Sequence, residues 1–276
     1  MRKFHTIVGM VSSGKTTFLA ALWHLITSGE LDPVLTLDHL DGDNQYLDKI
    51  VEIWQKCERL PRTSRAEDNA IAIHLRSVET DQLITLDFAD LSGELLFEQF
   101  AFRRCSLKYV ERLNGDGGLL LFVNADRPIN AVTILDARGL LEGEEGQPTD
   151  WEPKFVSEQA QLVDLLQCMQ RDPFRPMKRR LAVVISAWDV VTDETMTPER
   201  WLATEMPLLT QFLKSNTESF ETEVFGVSAQ GGVITEDTRR DLLNKVPSRR
   251  IRCVVGRLAS SDITLPLKWL SEVVNG

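Results

Sequence analysis

Apolar and polar positions change their spacing from block to block along this chain, and the spacings separate strands from helices. Phe4 to Val8 reads as a buried strand, and from Lys15 to about Thr27 the residues Phe18, Leu19, Leu22, Trp23 and Ile26 fall on one side of a helix. Leu47, Ile50, Val51 and Trp54 then recur at i, i+3, i+4, i+7, which predicts a helix over residues 44–58. Ala70 to Val78 ("AIAIHLRSV") and Leu83 to Ala89 ("LITLDFA") are β-rich runs joined by the short link "ETDQ", so they must pair antiparallel. Strands at 119–123, 181–186 and 224–227 alternate with helical patterns near 155–171, 198–214 and 265–274. That order predicts an α/β fold: a mostly parallel six-stranded sheet with one antiparallel edge strand and helices on both faces. The chain reads as a single domain over 1–276, with insertions near 29–68, 126–154 and 230–263.

The turn between the first strand and the first helix carries the chemistry. Gly9-Met10-Val11-Ser12-Ser13-Gly14-Lys15-Thr16 fits G-x-x-x-x-G-K-[ST], the phosphate-binding P-loop, with a second hydroxyl at Thr17. Backbone amides of the loop through Ser12 and Ser13, the helix N-terminus and the Lys15 amine all present positive character to β- and γ-phosphates. Thr16 offers a hydroxyl to Mg²⁺. Gly9 and Gly14 permit backbone approaches that a Cβ would block.

A second phosphate-side element ends the predicted hairpin, in "DFADLSGE". Asp90 sits where strand meets loop and is placed to hold a magnesium-bound water, and Gly93, three residues on, frees an amide for a γ-phosphate. Centring the turn between Thr80 and Asp81 pairs positions summing to about 161, which puts Asp90 opposite residue 71 and the preceding segment near the phosphates. Of the two hydroxyls there, Thr63 and Ser64, Thr63 is the favoured second Mg²⁺ ligand. Arg62, Arg65, Arg103 and Arg104 flank these segments, but none is singled out as an arginine finger.

Two later strand ends point to a purine. Ser186-Ala187-Trp188-Asp189 places a carboxylate at the rim of the sheet, and "VFGVSAQGG" brings Ser228-Ala229 beside it. Guanine offers donors at N1 and N2 that one carboxylate accepts together, whereas adenine has no such donor pair there. Asp189 therefore selects guanine, the Ala229 amide would meet its O6, and Trp188 could stack on the ring or simply pack.

The order P-loop, threonine loop, D-x-x-G after an antiparallel hairpin, then x-x-x-D and S-A at successive strand ends resembles the Ras-like, translation-factor-related GTPases over about residues 4–274. More narrowly, it looks like the bacterial double-GTPases of conflict systems. The resemblance implies a P-loop GTPase domain that binds GTP or GDP with Mg²⁺, hydrolyses GTP, and works as a switch through loops that a protein partner recognises. The chain departs from the family's N-K-x-D, with Ser186 and Ala187 replacing Asn and Lys, so the lysine stem over the base is missing. Glu94 stands where many members carry glutamine, and Val11 where glycine is common, which predicts slow hydrolysis without a partner. The alternatives are a GTP-dependent assembly module with negligible turnover and, less favoured, an ATPase or kinase.

Composition narrows the class without changing it. The chain has 276 residues, 43% hydrophobic and 26% charged, with a formal charge of −10 that argues against general nucleic-acid binding. No apolar run approaches a membrane span, and the first strand starts too near Met1 to leave room for a signal peptide, which predicts a cytoplasmic protein. Cys57, Cys105, Cys168 and Cys253 are widely spread and read as reduced thiols. "DGDNQ" lacks the glycine and distal glutamate of a calcium loop and reads as a helix start. Residues 140–153 hold five acids and no base, and residues 239–257 hold seven arginines or lysines against Asp241 alone. Both read as solvated surface or partner docking.

Overall fold

A computed structural model describes residues 3–42, 44–61, 71–88, 93–126 and 156–272. Among the described residues, nine strands, numbered in chain order, form one sheet in the order β2-β3-β4-β1-β5-β6-β7-β8-β9. They are β1 (Lys3–Gly9), β2 (Leu35–Asp41), β3 (Ile71–Ser77), β4 (Leu83–Phe88), β5 (Leu119–Asn124), β6 (Arg179–Ser186), β7 (Phe220–Ser228), β8 (Arg252–Val255) and β9 (Leu258–Ser260). The central five, β4-β1-β5-β6-β7, run parallel. Antiparallel pairs extend the sheet at both edges, through β3 and β2 on one side and β8 and β9 on the other.

The α/β class and the parallel centre agree with the sequence reading, but the strand number does not. The three unforeseen strands share a cause: weak period-2 patterning. In β2 a bulge between Leu37 and His39 breaks the alternation. β8 has four residues and β9 three, all of the latter exposed.

Helices cover both faces. On one side α1 (Lys15–Ser28), α2 (Asn44–Gln55) and α10 (Leu265–Ser271) pack on alternate strand residues such as Ile7, Ile73, Leu86, Leu120 and Phe122. On the other, α3 (Glu94–Phe102), α4 (Leu107–Leu113), α5 (Glu158–Cys168), α6 (Pro198–Glu205) and α7 (Pro207–Ser215) cover Val8, Leu119, Leu121, Val183 and Ile185. β5 shows why a central strand needs both layers: its residues Leu119 to Val123 are at most 1% exposed. Burying each such side chain contributes about 1.5–3 kcal/mol, so an uncovered face would not hold the strand. Two further helices, α8 (Glu236–Leu243) and α9 (Pro247–Arg250), occupy the basic stretch.

Two local readings need correction. The single helix predicted near 198–214 is two, because Pro207 disfavours helical backbone at Met206, which sits at φ −128°, ψ 60°. The β3–β4 hairpin pairs Ile71 with Phe88, so positions sum to 159 rather than the value expected from the turn. The shift of two keeps every side chain on its expected face. Asp90 and the segment containing Thr63 and Ser64 lie outside the described residues, as do Arg62 and Arg65. Among the described residues, no helix is long and apolar enough to cross a membrane.

Candidate functional site

The site forms at the C-terminal end of β1, which the later chain flanks first with β4 on one side and then with β5 on the other. Such a switch in strand order opens a crevice above the strand ends. The turn after Gly9 fills it. Ser12 at φ 59° and Gly14 at φ 94° curl the backbone, and the Ser13 amide donates to Met10 O at 3.2 Å. Gly14 also serves as N-cap of α1, with no side chain to satisfy the first-turn amides, and that turn carries no acid. A helix end so arranged favours an anion.

Lys15 is 2% exposed. Its amine donates to Gly9 O at 2.6 Å and Met10 O at 2.9 Å, closing the turn with its own cation. This keeps the charge at the loop's mouth beside Thr16 and Thr17, which also line the cleft.

Gly93 meets the same loop from the other side. It adopts φ 78°, and a Cβ there would lie 2.6 Å from Met10 C and Val11 N. Only glycine lets the backbone at the start of α3 lie against the P-loop. Glu94 follows as the first residue of that helix.

Neighbouring strands tether the turn. Ser186 at the end of β6 places its hydroxyl 2.7 Å from Ser13 O and 3.1 Å from Val123 O, and a Cβ on Gly14 would meet it at 2.6 Å. Asn124, at the end of β5, donates from Nδ2 to Ser12 O at 3.0 Å. A polar residue ending the buried run "LLLFVN" was a signal available in the sequence, although it did not enter the predicted set. Ser186→Ala should destabilise the chain by about 1–2 kcal/mol, since buried carbonyls lose their donor. Urea unfolding measures this, and an unchanged midpoint would show that the tether carries no weight.

The far wall holds Asp189, in a short 3-10 turn (Trp188–Val190) that Ala187 enters at φ 53°. Ser228, buried at the end of β7, donates from Oγ to Asp189 Oδ1 at 2.5 Å and accepts from the Gly231 amide at 3.0 Å. Ser228 thus orients the carboxylate and does not itself line the cleft. Trp188 also stays out of it. The ring is 4% exposed and lies against Gly226, where a Cβ would come 2.4 Å from the indole, so packing accounts for it.

Ala229 does line the cleft, and its carbonyl accepts from Trp54 Nε1 at 3.0 Å. Gln230 Nε2 returns a bond to Trp54 O at 3.2 Å, so α2 fixes the S-A loop. Behind Trp54, the Arg250 guanidinium stacks at 4.7 Å from the ring centroid and touches Cys57 Sγ at 2.5 Å. Burial pushes Arg250 below its ordinary range, with Cys57 and Glu30 opposing. The basic stretch is therefore not wholly surface.

The cleft joining these walls has a volume of about 510 Å³, within the range of small-molecule sites. Glu58, Arg59, Leu60 and Pro61 also line it. Arg59, which the sequence did not single out, lines the cleft, whereas Arg103 pairs with Asp164 at 2.7 Å away from it and Arg104 borders a separate hollow.

A phosphate-cradling turn at a parallel-sheet switch point, facing an oriented carboxylate across a small-molecule cleft, defines a P-loop nucleotide-binding protein of the GTPase type. The family profile described as Double-GTPase 1 matches residues 6–270, and the chain belongs to that family. No curated protein matches the sequence. Among solved structures, the GTPase-like domain of Saccharomyces cerevisiae Ski7 bound to GTP is similar at 11% identity and a TM-score of 0.43, over 89% of this chain and 51% of that one. This chain thus spans about half the length of that one. The Arl6 small GTPase of Trypanosoma brucei, bound to a nucleotide analogue, shares 8% identity over 91% of this chain and 99% of that chain, with a TM-score of 0.43. An Aquifex aeolicus Era variant bound to GDP and aluminium fluoride shares 14%, covering 89% and 57%, with a TM-score of 0.37. These overlaps are shallow, and the assignment rests on the family match together with the strand order and the site.

Proposed function

We propose that this chain binds GTP with Mg²⁺ in the cleft, hydrolyses it slowly when alone, and acts as a nucleotide-dependent switch for a protein partner. One observation carries the reading: a P-loop closed by Lys15 faces a carboxylate, Asp189, held at a fixed angle by Ser228. Lys15 would leave the carbonyls of Gly9 and Met10 for β- and γ-phosphate oxygens. The hydroxyls of Thr16 and Thr63 and the carboxylate of Asp90 are hard oxygen donors of the kind Mg²⁺ prefers. Thr16 already borders the cleft beside Lys15. The bound ion would supply charge neutralisation at the transferring phosphoryl.

The Gly93 backbone rests on the P-loop, so a γ-phosphate arriving at Lys15 would meet its amide and hold the segments near 60–68 and 90–105 in one state that a partner recognises. Hydrolysis would release them. Competition of GTP, ATP and xanthosine triphosphate for the purified chain, with and without Mg²⁺, tests the ligand. Equal retention of adenine and guanine nucleotides would remove the base-reading role.

Glu94 favours a second reading, an assembly module with negligible turnover. At the first position of α3, next to the glycine on the P-loop, it offers a carboxylate where hydrolysis needs an attacking water oriented near γ-phosphate. Glu94→Gln is expected to raise phosphate release about tenfold or more, because an amide can both donate to and accept from that water. A rate that stays at zero in both forms, with candidate partners present, would favour the assembly module.

A further inference from the structure

The face of the β2–β3 edge turned away from α1 and α2 carries a side-chain cluster with no part in the nucleotide cleft. His39 pairs directly with His74 across the two strands, and His74 pairs with Thr85 on β4. The bulge after Leu37 adds one residue to β2. Leu35, Leu37 and Leu40 can therefore all meet the core, while His39 and Asp41 share the opposite face.

One nitrogen of each imidazole and a carboxylate oxygen of Asp41 lie within 4.8 Å of one another. The rings stack with centroids 3.9 Å apart and planes inclined by 15°. His74 Nε2 is 2.8 Å from Asp41 Oδ2, and its Nδ1 is 2.8 Å from Thr85 Oγ1. His39 Nδ1 is 2.8 Å from Asp38 Oδ2. The Asp38 carboxylate is held in turn by Arg76, whose Nη2 donates to Oδ1 at 2.7 Å.

We propose that His39, Asp41 and His74 form a binding site for a divalent transition-metal ion of the Zn²⁺ type, separate from the nucleotide cleft. Two imidazoles and one carboxylate are the three-ligand set of open zinc sites, whereas Mg²⁺ and Ca²⁺ prefer oxygen throughout. Each ring already has the outer partner that such ligands need: Asp38 grips Nδ1 of His39 and Thr85 grips Nδ1 of His74, which directs coordination through Nε2. With metal–ligand bonds of about 2.1 Å, tetrahedral donors stand about 3.4 Å apart. Binding requires the stacked rings to tilt so that their Nε2 atoms converge, and Asp41 to draw back from His74; the side chains of His39 and Asp41, 46% and 70% exposed, have the room to move around His74 at 4%. Water would complete the coordination. An ion here ties edge strand β2 to β3, just before the chain enters α2.

The test uses the whole chain without a polyhistidine tag, free of nucleotide, in excess Mg²⁺, with Cys105→Ser and Cys168→Ser to remove the less buried thiols. Co²⁺ is followed by its visible absorption and Zn²⁺ by calorimetry. One ion per chain is expected, with His39→Ala and Asp41→Ala each weakening uptake about 100-fold while metal-free melting stays unchanged. Absence of uptake by the parent, equal uptake by His39→Ala, or displacement of Co²⁺ by Mg²⁺ would each overturn the site.

Discussion

Lys15→Ala is expected to abolish tight triphosphate binding while leaving the fold in place. The Lys15 amine, 2% exposed, is the cation at the mouth of the P-loop, and its present acceptors are the loop's own carbonyls, Gly9 O and Met10 O. A hydrogen bond to a charged partner contributes about 1.5–3 kcal/mol. Losing contacts to both the β- and γ-phosphates therefore weakens binding by about 100-fold or more. The core does not depend on this residue, since α1 is anchored through Phe18, Leu19 and Leu22. Calorimetric titration with a non-hydrolysable triphosphate, run beside circular dichroism, checks both halves. Unchanged affinity in a folded variant would mean that the loop does not hold phosphate.

Asp189→Asn should move preference from guanosine toward xanthosine nucleotides. Ser228 donates to Asp189 Oδ1, and an asparagine keeps that acceptor, so the new amide should take the same orientation with Nδ2 where Oδ2 stood. Guanine presents donors at N1 and N2; xanthine keeps the first and replaces the second with a carbonyl. The amide donor then meets an acceptor in xanthine and a second donor in guanine. Each matched edge discriminates by about 1–3 kcal/mol, so guanosine triphosphate should lose about 10–100-fold and xanthosine triphosphate gain by a similar factor. Competition binding decides it, and an unaltered ranking would take Asp189 out of the base site. Ser228→Ala should weaken guanosine triphosphate binding with no gain for xanthosine triphosphate, since the carboxylate would lose its support but remain an acceptor only.

The two ends of the site were legible to different degrees. The P-loop could be read because its parts lie within nine consecutive residues and its chemistry is mostly backbone, so spacing alone specifies it. The place of Asp189 on the wall of the cleft could be read because it follows the buried strand "AVVIS". The support around it could not. Ser228 is 39 residues from Asp189, and Trp54 reaches Ala229 across 175 residues. As a Trp on an amphipathic helix, Trp54 looks like ordinary core until the fold brings its indole N–H to that carbonyl. Trp188 shows the converse, a residue beside Asp189 whose ring the pleat turns onto Gly226. Among the arginines, proximity to the predicted switch segments marked Arg62, Arg65, Arg103 and Arg104 without singling one out; the backbone leads Arg103 to Asp164, and it is Arg59 that lines the cleft.

Local pattern was enough to settle the parallel centre, the helices on both faces and the phosphate turn, because buried strands of the β5 kind and a glycine-lysine loop each depend on neighbours close in sequence. Three-dimensional packing alone decided the two antiparallel margins, the bulge that sets His39 beside His74, and the partners that orient Asp189. Those features depend on groups distant along the chain meeting at hydrogen-bond distance, and no spacing of letters encodes which strand will lie beside which.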